Sequence, residues 1–201
     1  VHLDIVQCAG KIPVALTEQE VIEILKETGA LQEGHFRLSS GLHSGNYVQC
    51  SQLLKFPNVA EKVCSALAEK FKDDNIEMVV GPAIGGILVA YEVARALNVP
   101  GIFAERENGQ MTLRRGFRVE PGQRVAVIED VLTTGGSAQE VVELLQGLGA
   151  EVVTAGSIID RTAGNTLKLK VPYKSLIALQ FETYTEDECP MCKEGLPIVK
   201  P

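Results

Sequence analysis

The sequence has few aromatic residues and no long apolar run. Tryptophan is absent, and aromatic residues make up only 5% of the 201 positions. No apolar stretch approaches the roughly 20 residues that a membrane-spanning helix needs, and no signal-peptide pattern is present at the start. We therefore expect no membrane association and a cytoplasmic location.

Positive charge is also scarce. Nineteen Lys and Arg residues against 26 Asp and Glu residues give a formal net charge of −7, which argues against nucleic acid as a general partner. It does not exclude an anionic small molecule, because local arginines and backbone amides set the potential of a pocket. The hydrophobic fraction of 45% and the charged fraction of 22% are typical of a globular domain with a full core.

The five cysteines are too few, and odd in number, for a disulfide framework in a chain of this length. Cys8, Cys50 and Cys64 lie among apolar neighbours and are expected to be reduced packing residues. Cys189 and Cys192 form a CxxC pair in a polar tail. A structural zinc ion needs four ligands, and the tail supplies two with no nearby histidine, although two subunits together could supply four cysteines. We expect two ordinary thiols.

The most informative stretch is 125–137, which reads VAVIEDVLTTGGS. Its first four residues are apolar and fit a buried parallel strand. Glu129 and Asp130, hereafter the acid pair, follow where that strand should leave its sheet. Residues 133–137 are hydroxyl and glycine residues before an apolar-periodic helix, and such a turn can aim several backbone N–H groups at one anion. Composition alone leaves two interpretations open: a site for a ribose phosphate, or a strand-to-helix turn with incidental acids.

A second glycine-rich loop, GPAIGG at 81–86, lies between a strand at 78–80 and a helix at 87–97. It is neither a GxGxxG nor a Walker A sequence, and alone it is equally well explained as a tight turn. Two such loops in one sheet favour a ligand site, because ligands of open α/β sheets bind at the carboxyl ends of the strands.

The segment 105–116 is polar, contains three arginines and ends at glycine, which predicts a mobile hairpin or lid. Charge-rich loops are usually only solvated. Here Arg106, Arg114 and Arg115 can act as forked donors to phosphate oxygens.

The first fifty residues contain less regular features. Residues 17–20 form a capping box before an amphipathic helix, and 36–48 alternate as a short hairpin. His35 and His43 are candidates for a ligand contact, although isolated histidines are more often structural or exposed.

The alternation of strands and helices after these residues predicts an α/β fold. We expect a mostly parallel sheet flanked by helices, with a small N-terminal cap or hood and a mobile lid loop. The chain 1–201 should form one domain. About 1–50 and the C-terminal segment would make the cap, and about 58–181 the α/β core.

Spelled out in full, 125–137 closely resembles the phosphoribosyl-pyrophosphate (PRPP) motif of type I phosphoribosyltransferases. Three further features are Ser40-Gly41, the loop 81–86 as a pyrophosphate loop, and Asp160-Arg161 after a late strand. With them the chain resembles the orotate phosphoribosyltransferase family over nearly its whole length. The resemblance implies transfer of 5-phosphoribosyl from PRPP to orotate in pyrimidine synthesis, with Mg²⁺ carried on PRPP and no direct protein ligand. It also implies a homodimer whose lid reaches the neighbouring site.

The resemblance assigns roles to residues of this chain. The acid pair would hold the ribose hydroxyls and, with Arg106, Arg114 and Arg115, form the catalytic set. Orotate would contact Thr133, Tyr47 and Arg161, whose guanidinium would pair with the orotate carboxylate. PRPP would contact Ala83, Ile84, Gly85, Arg106, Glu129, Asp130, Val131, Leu132, Thr133, Thr134, Gly135, Gly136 and Ser137.

Several positions depart from the family pattern. The lid has no lysine or histidine, Ser39 stands where a lysine is common, and Ile84-Gly85 replace Tyr-Lys. A general acid therefore cannot be named. Two alternatives are a purine phosphoribosyltransferase and a non-catalytic PRPP-sensing regulator. Arg161 argues against the first, because a neutral purine would leave a buried guanidinium unpaired at a cost of several kcal/mol.

Overall fold

Between residues 78 and 160, two helices each connect one strand to the next, as the sequence predicts. The computed structural model describes residues 15–162 and 167–201, so the expectation for Cys8 lies outside the described residues. In chain order the elements are α1 (Glu18–Glu27), β1 (Leu31–Arg37), β2 (His43–Val48), α2 (Ser51–Leu54), α3 (Pro57–Glu69), β3 (Met78–Pro82), α4 (Gly86–Leu97), β4 (Gly101–Glu107), β5 (Gln110–Thr112), β6 (Arg124–Leu132), α5 (Gly136–Gly147), β7 (Glu151–Asp160), β8 (Tyr173–Ala178), β9 (Thr183–Tyr184) and α6 (Pro190–Lys193).

The main sheet has six strands in the order β5-β4-β3-β6-β7-β8, and every neighbouring pair is parallel except β4 and β5. Helices cover both faces. Ile128 of β6 belongs to the same buried cluster as Val63 of α3 and Val89 of α4, whereas Val127 belongs to the cluster that contains Val142 of α5. Successive residues of a strand face opposite sides, which explains why β6 is apolar without alternation. The predicted fold class is confirmed.

A smaller antiparallel sheet, β1-β2-β9, lies beside the N-terminal helix. The predicted capping box is present, since the Thr17 hydroxyl accepts from the Glu20 backbone and the Glu20 carboxylate accepts from the Thr17 backbone. The chain then returns to β1 near its C-terminus, where Val199 bridges Phe36 and its carbonyl accepts from the Arg37 N–H at 2.9 Å. The proposed division of the domain into cap and core stays a prediction.

The segment 105–116 includes the end of the edge hairpin β4–β5. The turn consists of Asn108 and Gly109, both with positive φ (52° and 84°), as expected of a two-residue hairpin turn. The hairpin is therefore confirmed, and its mobility stays a prediction. Among the described residues the longest helix, α3, has 13 residues, and no helix is long and apolar enough to cross a membrane.

Candidate active site

Residues 125–137 span the carboxyl end of β6 and the turn that leads from it into α5. The acid pair lies inside β6, which continues to Leu132, and α5 begins at Gly136. Gly135, the N-cap of α5, has a φ of +72°, a left-handed conformation that glycine adopts without strain. A Cβ at this position would lie 3.2 Å from Leu167 Cδ1. The turn therefore needs glycine at 135, both for its backbone angles and for space.

The acid pair is partly buried, and its charge is poorly solvated. Burial, with a smaller contribution from Asp130, raises the pKa of Glu129 from 4.5 to about 7. Burial also raises the pKa of Asp130, although the Val131 N–H donates to its Oδ1 at 2.9 Å. Two adjacent carboxylates with raised pKa values favour a ligand that donates hydrogen bonds or carries positive charge.

The loop 81–86 lies against the acid pair. A Cβ on Gly85 would be 2.9 Å from Asp130 Oδ1, and one on Gly81 would be 2.4 Å from the Gly86 carbonyl oxygen. The Ala83–Ile84 peptide bond in this loop is cis. The structure thus brings the loop 81–86 against the acid pair, as expected for adjacent parallel strands β3 and β6.

A cavity of about 710 Å³ opens beside the turn, and Thr133, Tyr47 and Arg161 all line it. The pairing of β6 with β7 brings Arg161 next to Thr133. Leu132 lies opposite Asp160, and the Leu132 carbonyl accepts from the Arg161 N–H at 2.8 Å. The guanidinium of Arg161 lies 4.8 Å from the centre of the Phe181 ring. Burial lowers the pKa of Arg161. The three residues that the resemblance assigns to orotate therefore share one pocket.

Sequence reasoning missed two basic residues of this cavity, Arg37 and Lys200. Arg37 ends β1, and Lys200 arrives from the far end of the chain along the same strand, so no local motif marks either. Ser39 and Ser40 line the cavity as well. The remaining lining residues are Leu38, Leu42, Thr134, Leu179, Gln180, Phe181, Thr183 and Pro201.

The three arginines of the lid hairpin (residues 105–116) contact carboxylates. Arg106 makes a two-pronged contact with Glu140 of α5, with nitrogen–oxygen distances of 2.7 and 2.9 Å. Arg115 donates to Glu105 at 3.0 Å, while Arg114 lies 3.5 Å from the same carboxylate. In this conformation the structure does not bring them to the acid pair.

Comparison with known proteins agrees with this geometry. A model of the phosphoribosyl transferase domain matches residues 49–187. An orotate phosphoribosyltransferase of Thermotoga maritima is 55% identical over 179 residues, which cover 89% of this chain and 95% of that protein. One of Caldicellulosiruptor bescii is 50% identical over 186 residues, 92% of this chain and 97% of that protein. The chain belongs to the orotate phosphoribosyltransferase family.

A solved structure from the same family has the same fold. The orotate phosphoribosyltransferase of Mycobacterium tuberculosis in complex with inorganic phosphate is 27% identical and superposes with a TM-score of 0.67. The match covers 81% of this chain and 95% of that chain. The family resemblance predicted from the motifs is confirmed.

Within the PRPP motif of this family member, the structure limits how one of the residues assigned to PRPP could contact it. The Leu132 side chain is fully buried in the core, and Val131 packs against the opposite cluster. The Leu132 side chain is therefore not available to PRPP, whereas Val131 is only partly buried. The strand register explains this, because β6 extends four residues past the apolar run that the sequence marks.

The sequence predicts that Cys189 and Cys192 have no histidine near them, and this prediction is wrong, because the fold brings two histidines to them. His35 and His43 are both buried, and their ring nitrogens lie within 4.8 Å of the sulfur atoms of Cys189 and Cys192. The pairs are about 150 residues apart in sequence, so no spacing motif connects them. Cys50 and Cys64 are buried free thiols, as expected.

Proposed function

We propose that the chain transfers the 5-phosphoribosyl group of PRPP to orotate, forming orotidine 5′-monophosphate and pyrophosphate. The observation that carries the proposal is that Thr133 belongs both to the PRPP motif and to the cavity of Arg161 and Tyr47. The anomeric carbon of a ribose phosphate held by the motif would therefore face a planar anion held in the cavity.

The PRPP motif is suited to the ribose phosphate end of PRPP. The first turn of α5 offers backbone N–H groups that have no partner within the helix, together with the positive end of a helix dipole, to the 5′-phosphate. Glu129 and Asp130 would accept hydrogen bonds from the ribose hydroxyls. Those hydroxyls would replace the solvation that burial removes from the two carboxylates.

The donor set of the site also fits Mg²⁺ carried on PRPP. Magnesium prefers oxygen ligands and commonly takes them from substrate phosphates, and the acid pair lies beside the loop 81–86 that would hold pyrophosphate, so the ion on PRPP would lie next to two carboxylates. When bound, the ion would neutralise negative charge on the leaving pyrophosphate.

The orotate cavity favours an anionic base. The Arg161 guanidinium can donate two parallel hydrogen bonds to the orotate carboxylate, and it lies over the Phe181 ring, which supports it from one side. Arg37 and Lys200 add positive charge to the same cavity. Orotate would bring a negative charge to this basic cavity, whereas a neutral purine would bring none.

The chain's residues would stabilise charge separation and take little part in covalent chemistry. As the bond at the anomeric carbon breaks, positive charge develops on the ribose beside the acid pair. The lid arginines would exchange Glu105 and Glu140 for pyrophosphate oxygens when the hairpin closes. Guanidinium groups keep their protons near neutral pH, so they act as electrostatic clamps. We further propose a cytoplasmic homodimer in which each lid closes over the partner's site.

A steady-state assay with PRPP, Mg²⁺ and orotate tests the proposal, with adenine and hypoxanthine as parallel substrates. We expect orotidine 5′-monophosphate and stoichiometric pyrophosphate from orotate, and no nucleotide from either purine. Turnover of a purine would identify the alternative enzyme class. PRPP binding without turnover of any base would identify a sensor.

A further inference from the structure

Four potential metal ligands converge between the β1–β2 hairpin and the C-terminal tail (residues 189–201). His35 Nε2 lies 3.0 Å from His43 Nδ1, 3.5 Å from Cys189 Sγ and 3.7 Å from Cys192 Sγ. Cys192 Sγ is 3.3 Å from His43 Nδ1. The relative exposures of His35, His43 and Cys189 are 3%, 1% and 0%, and Cys192 is partly exposed. We call this group the Cys–His cluster.

These separations match the edges of a zinc tetrahedron. With Zn–N bonds of about 2.0 Å and Zn–S bonds of about 2.3 Å, tetrahedral angles place two nitrogens about 3.3 Å apart and a nitrogen and a sulfur about 3.5 Å apart. The nitrogen–nitrogen distance of 3.0 Å and the nitrogen–sulfur distances of 3.3 to 3.7 Å are close to these values. Four of the six edges are therefore close to their ideal lengths, and the other two separations are at most 4.8 Å, so shifts of about 1 Å would let all four atoms bind one ion.

Hydrogen bonding alone does not satisfy this arrangement. The Leu196 carbonyl can only accept, so the contact of His35 Nδ1 with it at 2.9 Å requires the ring proton on Nδ1. Neutral His35 then presents a single lone pair at Nε2 to three neighbours. A histidine that donates its other ring N–H to a backbone carbonyl is the usual arrangement of a metal ligand.

We propose that the Cys–His cluster is a structural zinc site that fixes the C-terminal tail to the β1–β2 hairpin. Two thiolates and two imidazoles in tetrahedral geometry are a zinc donor set, and Cys189 and Cys192 would each release a proton on binding. Because the four protein ligands complete the tetrahedron, no position is left for a reactant. The set contains no carboxylate, so it does not suit Mg²⁺.

The site has a consequence for the cavity. Beyond the cluster the tail follows β1, where the Val199 N–H donates to the His35 carbonyl at 2.8 Å, and the next residue, Lys200, lines the cavity. Zinc at the cluster would thus hold Lys200 in position. This second step rests on the proposed function, since it assigns the cavity to orotate.

The zinc content of tag-free protein, incubated with zinc and dialysed exhaustively, tests the proposal without any substrate. We expect about one zinc per chain in the wild type and less than a tenth of that in Cys192→Ala. Cys64→Ala is the matched control, because it removes another thiol outside the cluster and should keep its zinc. Substoichiometric zinc in the wild type, a different metal at full occupancy, or full zinc in Cys192→Ala would overturn the proposal.

Thermal unfolding and kinetics test what the ion does. Treatment with 1,10-phenanthroline should lower the melting temperature of the wild type and of Cys64→Ala, and should leave that of Cys192→Ala unchanged. In assays with excess Mg²⁺, the treated wild type should show a several-fold higher KM for orotate and an unchanged KM for PRPP. An unchanged orotate KM in zinc-free protein would overturn the link to Lys200. The zinc content is measured without orotate or PRPP, so it tests the zinc site even if the chain does not catalyse the proposed reaction.

Discussion

At the scale of single residues, the Glu129 carboxyl should destabilise the free protein as the pH rises. Its pKa is about 7 in the folded protein and 4.5 ordinarily, so the folded state binds the proton more tightly. The resulting stability is present below about pH 4.5 and is lost as the pH rises through 7. Each pKa unit corresponds to about 1.4 kcal/mol, so the loss approaches about 3 kcal/mol by pH 8.

Glu129→Gln should therefore unfold at a higher temperature than the wild type at pH 8, by several degrees, and at nearly the same temperature at pH 4.5. Turnover should fall at the same time, because the neutral amide stabilises a developing ribose cation less. Scanning calorimetry across this pH range checks the first part. Glu23→Gln, at an exposed position of α1, is the control and should show no comparable gain. Equal stability of Glu129→Gln and wild type at pH 8 would contradict the assigned burial.

Gly135→Ala should lose both stability and PRPP affinity. A non-glycine residue in the left-handed region costs about 1 kcal/mol, and the added Cβ would lie 3.2 Å from Leu167 and disturb the phosphate turn. Gly149→Ala is a matched control, since its φ of +91° imposes similar strain outside the motif. Calorimetric titration with PRPP should show a loss for Gly135→Ala alone. Equal PRPP affinity in the two variants would mean that the turn does not hold the phosphate.

Residues could be predicted from the sequence where the chemistry is local. The acid pair and the glycine turn are contiguous, and their arrangement follows from one strand and one helix. Lys200 and the Cys–His cluster could not be predicted, because they depend on the tail returning to β1 through contacts such as Val199 with Phe36. No periodicity or spacing encodes a contact between residues about 160 positions apart.

At the scale of elements, the lid hairpin separates its two neighbouring arginines. Arg115 is held by a 3.0 Å contact with Glu105, and its guanidinium carbon lies 5.6 Å from the centre of the Phe103 ring. Arg114 has carboxylate contacts of 3.5 Å to Glu105 and Glu107, which are at the limit of hydrogen bonding. Arg114 is therefore the freer of the two to reach pyrophosphate.

We expect Arg114→Ala to lower kcat about a hundredfold, as for a lost transition-state donor. Arg115→Ala should change kcat only a few-fold, with a small loss of thermal stability. Steady-state kinetics on both variants at saturating PRPP makes the comparison. The reverse order, or equal losses, would show that the hairpin rearranges more extensively on closing than its present contacts suggest.

Element types were predictable, and element limits were less so. The apolar run 125–128 marks the buried part of β6, but the strand continues through the acid pair to Leu132 because β7 pairs with it that far. The polar composition of the lid sequence likewise predicts a hairpin or lid. Its carboxylate contacts depend on Glu140 of α5, a partner that only the folded sheet brings near.

For the whole molecule, the proposed exchange of lids between subunits predicts complementation. Arg106→Ala should impair the lid and Asp130→Asn the ribose site, so each variant alone should be nearly inactive. A mixed dimer would assemble one intact site, giving about a quarter of the wild-type activity if subunits exchange at random. Native mass spectrometry verifies the exchange. Verified mixed dimers without recovery would mean that each lid closes over its own subunit or takes no part.

The most direct test of the central claim, that the cavity at the end of β7 is the orotate site joined to the PRPP motif, is the pair of KM values of Arg161→Gln. Removing a partly buried charged donor typically costs 2 to 5 kcal/mol, so we expect the orotate KM to rise about a hundredfold while the PRPP KM stays within about twofold. A rise in the PRPP KM with orotate unaffected, or no change in either, would contradict the account.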